Sequence, residues 1–208
     1  MDENGFGQPA AIGFAANEKA VTLRHFFQMF KKVNDDKDIN VFFVDRDYTQ
    51  LDVLNESWPS VPVLICAFHV MKTLKTNIAK EKLHVTEKQA LLTSFKRALY
   101  CRTEESFKEK ESEFLDQCTA GLREYYAKNW GNDPATWSFA CRAQLRTFGN
   151  NTTNRIERFF LTVKTVLRGS GRSIAKRFHF SECIEIVLTV LDQKRLSSGL
   201  EDYKNAAK

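Results

Sequence analysis

Two short apolar runs, Val41-Phe42-Phe43-Val44 and Val61 to Ile65, constrain the fold of this chain more than any other feature. Neither run alternates with polar residues, which is the pattern of strands buried on both faces. Between them Thr49 can cap a short helix that passes through Leu51 and Leu54 to about Ser57. A strand, a short helix and a strand make a βαβ unit, so the two strands are predicted to be parallel. Asp45 and Cys66 then stand at the carboxyl ends of neighbouring strands, where open α/β sheets carry their sites.

The flanking segments predict the rest of the organisation. Asp2-Glu3-Asn4-Gly5 is a turn signal, and Gln8 to Ala16 is small, apolar and strand-compatible. Together they predict the end of a hairpin whose first strand lies outside this sequence. Asn17 can cap a helix with Leu23, Phe26, Phe27, Phe30 and Val33 at helical spacing. After Ile65, Met71, Leu74 and Ile78 mark one helix face. From about residue 82 the pattern is helical only: Thr86 with Gln89 forms a capping box, and Thr103 opens a longer helix from Phe107 to Tyr125. Trp130 and Trp137 fall in a loop and a further turn. Gly149-Asn150-Asn151 breaks the chain. Two helices follow, one with Ile156, Phe159, Phe160, Val163 and Leu167 on its apolar face and one starting at Ser181. The predicted parts are an α/β part over 1–81 lacking its first strand, an all-helical insertion over 82–148, C-terminal helices over 149–196 that complete the α/β part, and a polar, frayed tail over 197–208.

Composition narrows the class. With 43% hydrophobic and 27% charged residues the chain is expected to fold as a globular protein. No apolar run approaches the roughly 18 residues a membrane span needs, and the polar, acidic start is no signal peptide. The five cysteines are widely spaced and odd in number, which suggests reduced thiols rather than a disulfide framework or a zinc knuckle. The net charge of +5 is unevenly spread. Arg155, Arg158, Lys164, Arg168, Arg172, Lys176 and Arg177 face only Glu157 as an acid within their segment, and the rest of the chain is close to neutral. Such a segment is either a solvated basic face or a phosphate-binding one.

Two carboxylates stand out chemically. Asp45 ends a buried strand, and Glu157 opens a late helix. Two-metal phosphoryl transfer gathers several carboxylates around a pair of hard cations, Mg²⁺ or Mn²⁺. Taken singly, each has a plainer explanation: an Asp after a strand is commonly a turn residue, and Glu157 three residues after Asn154 completes a capping box. Cys66 and His69 form a Cys-x-x-His pair. Zinc needs about four ligands and no matching pair exists, so a packed Cys and a hydrogen-bonded His at the strand-to-helix junction is the simpler reading.

In this order and spacing, Val41 to Asp45, Pro62 to His69 with its Cys-x-x-His, and Asn154-Arg155-Ile156-Glu157 after a helical insertion resemble the MULE transposase domain. The wording is most similar to the RNase H-like domain of the zinc-finger SWIM domain-containing (ZSWIM) proteins. The resemblance implies an α/β fold, an RNase H-like DDE transposase fold with an all-helical insertion, here incomplete. It implies Asp45 as the second acid of the triad, Glu157 as the third, and Cys66 and His69 as the companion motif. The first acid belongs to a strand upstream of the Asp-Glu-Asn-Gly turn. No Cys-x-Cys or Cys-x-His follows Cys183, so no zinc finger is expected within this sequence.

The functional expectation is a domesticated or decayed transposase-derived domain, catalytically inactive, that binds DNA or protein in the nucleus. Asp45 and Glu157 would hold Mg²⁺ or Mn²⁺ weakly. As it stands the sequence calls for no cofactor, with Mg²⁺ or Mn²⁺ expected if the triad were complete, and for no membrane and no small-molecule substrate. Two alternatives stay open: an active metal-dependent endonuclease if a longer chain supplies the first Asp, and a transposon relic without function. Nuclear location follows from the resemblance alone, because Lys176-Arg177 is too short for an import signal.

Overall fold

The computed structural model describes residues 9–147, 150–169 and 179–206. The chain groups into two compact units, one of Ala15–Thr153 and one of Met1–Phe14 with Asn154–Lys208.

In the first unit, strands β1 (Phe42–Val44) and β2 (Val63–Ile65) pair in parallel, with Phe42 opposite Val63 and Val44 opposite Ile65. The predicted crossover between them is α2 (Tyr48–Ser57). Its cap is Asp47, two residues before Thr49, because the Asp47 carboxylate reaches the N–H of Gln50 at 3.0 Å. Helix α1 (Ala20–Val33) precedes the strands. Asn17 does not cap it directly. Its side-chain oxygen instead accepts the Lys19 N–H and the Thr22 hydroxyl, and Lys19 takes the cap position. Phe27, Phe30 and Phe42 close around buried Trp58, whose indole N–H donates to Asp36 at 2.8 Å. This packing fixes α1 against the α2–β2 corner.

Helix α3 (Ala67–Lys80) leaves β2 and buries Val70, Leu74 and Ile78. The helical stretch expected after residue 82 then follows as α4 (Val85–Leu99), α5 (Glu104–Gln117), α6 (Ala120–Tyr126) and α7 (Phe139–Arg142). The capping box of α4 is His84 with Glu87, not Thr86 with Gln89, since the helix starts one residue before Thr86. The long helix predicted from Phe107 to Tyr125 is two. It stops at Cys118, and the Thr119 hydroxyl accepts the Leu122 N–H at 3.1 Å to begin again. Trp130 and Trp137, placed in loops by their neighbours in sequence, are core residues at 2% and 1% exposure. Trp137 stacks on Phe95 and meets Phe107, Tyr126 and Trp130 edge-on. Burial of so much aromatic area outweighs the polar loop signals around it. A π-helical turn, Ala127–Gly131, carries Trp130, and a 3₁₀ turn, Pro134–Thr136, precedes Trp137.

The second unit is built on α8 (Asn154–Gly169) and α9 (Phe180–Ala206). Phe159, Val163 and Val190 form its buried cluster, with Ile12, Leu167 and Val187 packed against it. Residues 9–16 form no strand, contrary to expectation; Ile12 joins this helical cluster and Phe14 meets Phe180 edge-on. Ile156 and Phe160, predicted as core, are 41% and 47% exposed: one lies in the first turn of α8 and the other at the margin of its buried stripe. The tail expected to fray from Ser197 continues as helix to Ala206. The predicted break at Gly149, the turn at Asp2 to Gly5, and Arg172, Lys176 and Arg177 lie outside the described residues. Mostly helical, with one small parallel sheet among the described residues, the fold is of the α/β kind. Among the described residues no helix is long and apolar enough to cross a membrane.

Candidate functional site

The carboxyl edge of the two-stranded sheet gathers four side chains in the first unit. Asp45 follows the last residue of β1, Val44, which is buried and pairs with Ile65. Cys66 follows β2, and its N–H donates to Val44 O at 2.8 Å, extending the ladder by one bond. The chain then turns into α3, which brings His69 round toward the neighbouring strand end. His69 Nδ1 lies 3.1 Å from Asp45 Oδ1. The Asp45 side chain is 54% exposed and that of His69 20%.

Thr153 completes the group from 108 residues away in sequence: its hydroxyl donates to the same Oδ1 at 3.0 Å. Its backbone N–H donates to the sulfur of Cys66 at 3.3 Å, and Asn151 O accepts from Ala67 N at 3.1 Å. Residues 151–153 are therefore laced onto the β2–α3 junction through atoms of 66 and 67. Cys66 is wholly buried and acts here as a small acceptor for a backbone N–H that has no helical partner.

These contacts orient the carboxylate. Both fall on Oδ1, so Oδ2 is the oxygen that a cation can take without displacing either partner. A carboxylate oxygen and an imidazole nitrogen are thereby brought to one strand end. Oriented carboxylate oxygen with one imidazole nitrogen suits Mn²⁺, and suits Mg²⁺ through the oxygen alone. The residues present thus fit a divalent cation.

Glu157 stands in the first turn of α8, in the second unit. There it lines a shallow groove with Asn154, Arg158, Phe160, Leu161 and Lys164, on the side of α8 away from Phe159 and Val163. Arg155, Arg158 and Lys164 are all exposed. Arg168 falls in the last turn of the same helix. Of the predicted site residues, Asp45, Cys66 and His69 come together in one unit, and Glu157 and the described basic residues share α8 in the other. Nothing local in the sequence marks Thr153: it sits in a Thr-Thr-Asn run that reads only as a helix start, and its partners are set by the tertiary fold.

No solved structure matches the chain. Residues 1–64 match the family model described as zinc finger SWIM domain-containing protein 1/3, RNaseH-like domain, a span that includes α1, β1, Asp45 and α2 and stops short of Cys66. Over that first part the chain resembles the RNase H-like domain of the zinc-finger SWIM proteins.

Proposed function

We propose that this chain is a transposase-derived RNase H-like domain that binds a divalent cation and nucleic acid without cutting it. The observation that carries the proposal is the Asp45 carboxylate at the end of β1, oriented by His69 at 3.1 Å and Thr153 at 3.0 Å. RNase H-like chemistry depends on an acid at a strand end, and the family match runs through that strand. A carboxylate kept only for a turn needs neither a histidine nor a hydroxyl reaching it from distant segments.

Asp45 and His69 can hold one cation between them. The proposed role is binding, with the nucleus as the expected place. The exposed bases Arg155, Arg158 and Lys164 on α8 supply phosphate contacts.

The test is calorimetric titration of the 208-residue chain with Mn²⁺, paired with a plasmid-nicking assay in Mn²⁺ or Mg²⁺. Wild type should take up Mn²⁺, Asp45→Asn and His69→Gln should each weaken uptake at least about tenfold, and no nicking should appear. Cutting that disappears in Asp45→Ala would refute the non-cutting role; absence of Mn²⁺ uptake by wild type would refute the cation site.

A further inference from the structure

Arg46 follows Asp45 at the strand end, and its guanidinium is held from several sides. The Tyr48 hydroxyl accepts from Nε at 3.0 Å and from Nη2 at 2.6 Å. Asn129 Oδ1 accepts from Nη2 at 2.8 Å. The Trp130 ring lies 4.2 Å from the guanidinium carbon and the Tyr48 ring 5.4 Å. The amide of Asn129 is itself fixed, because its Nδ2 donates to Tyr125 O at 2.8 Å and so turns its oxygen toward Arg46. Asn129 and Trp130 are consecutive residues of the π-helical turn. Such turns are rare and recur at functional sites, where the wider winding re-aims side chains.

All these partners are neutral. Asp45 and Asp47 flank Arg46 in the chain, but the Asp45 carboxylate meets His69 and Thr153, and Asp47 accepts the Gln50 N–H. Arg24, by contrast, takes both oxygens of Glu56. Among the described residues Nη1 of Arg46 donates to nothing, which leaves its two N–H groups for an outside acceptor. A guanidinium already immobilised and without a counter-ion has little further entropy to lose on binding an anion. The acceptor that suits it best is a phosphate oxygen.

We infer that Arg46 is a phosphate-contacting residue that grips the backbone of single-stranded nucleic acid at the carboxyl edge of the sheet, beside Asp45. The inference deepens the proposed function and rests on it. Nucleic acid is favoured over a phosphorylated peptide because two aromatic side chains project at the same strand ends, Tyr48 at 58% and Phe68 at 47% exposure. Rings so placed stack on unpaired bases, which a phosphopeptide lacks.

The test uses fluorescence anisotropy of a labelled oligothymidylate of about 20 nucleotides with the full chain, across about 50 to 200 mM NaCl. Arg46→Gln should weaken binding about tenfold and reduce the log–log salt slope by about one. Asn129→Ala keeps the charge and loosens the clamp, so it should weaken binding about threefold with the slope unchanged. The inference is overturned if folded Arg46→Gln binds with wild-type affinity and slope, or if wild type does not bind. It is also overturned if a phosphoserine peptide competes as well as unlabelled oligonucleotide at equal phosphate. Should Arg46→Gln fail to fold, unchanged affinity in Asn129→Ala overturns it. Mn²⁺ uptake is read separately, so loss of the cation site and loss of the Arg46 contact give different results.

Discussion

Arg142 shows how much of this fold rests on one residue. It is 3% exposed, yet its guanidinium bonds only carbonyls: Nε to Ser138 O at 3.1 Å, and Nη2 to Trp137 O and, more weakly, to Ile65 O at 3.5 Å. Phe139 packs against its face at 4.9 Å. Burial pulls the group below its ordinary value, to about 10, although Cys66, Tyr100 and Cys141 act in the opposite sense. Through Ile65 O it ties α7 to the strand end that precedes Cys66. Arg142→Ala removes the donor to three carbonyls and leaves a cavity, so it should cost about 2–4 kcal/mol in urea denaturation. A loss below about 1 kcal/mol would show that water replaces it without penalty. Periodicity gave no hint of this, because an arginine in a helical stretch is ordinarily a surface residue. Asp45 was legible for the opposite reason: a strand-end acid after four apolar residues is a local pattern, whereas Thr153 meets Asp45 and Cys66 only through the tertiary fold.

At the level of elements, the apolar spacing located α1, α3, α4 and α8 and both strands, while their caps went to competing residues. Several polar groups stand near each start, and tertiary packing chooses among them, as Asp47 and His84 show. The break between α5 and α6 was hidden because Phe107, Phe114, Leu122 and Tyr126 keep a continuous apolar rhythm across it. That break has a consequence for pH dependence. Burial pushes the Cys118 thiol, at the end of α5, up to about 12, opposed by Arg123 and aided by Glu81. Burial, and then the hydrogen bond to Glu111, raise the Tyr126 hydroxyl well above its ordinary value. Both are acids that keep their protons in the folded state where the unfolded chain releases them. Stability is therefore full below the ordinary thiol value and is lost as pH rises from about 9 toward about 12. Thermal unfolding followed by circular dichroism should show the midpoint falling over this range. Cys118→Ala and Tyr126→Phe should each flatten the fall, and an unchanged slope in both variants would contradict the assignment.

For the molecule as a whole, the sequence pattern and the family match meet over residues 1–64 and part thereafter. The aromatic core around Trp137, the π-helical turn and the lacing of 151–153 onto the β2–α3 junction belong to the structure alone. Charge is likewise distributed by segment: the basic run on and after α8 carries the net positive charge that the rest of the chain lacks. Nucleic-acid binding by such a surface weakens steeply with salt, but salt dependence alone does not locate a cation. Paramagnetic broadening does. On adding substoichiometric Mn²⁺ to ¹⁵N- and ¹³C-labelled protein, the His69 imidazole and the Asp45 side-chain carboxyl signals should broaden first, with the amides of 45–46 and 66–69. Uniform broadening, or broadening centred on the exposed acids of α5, would contradict a cation site built on Asp45.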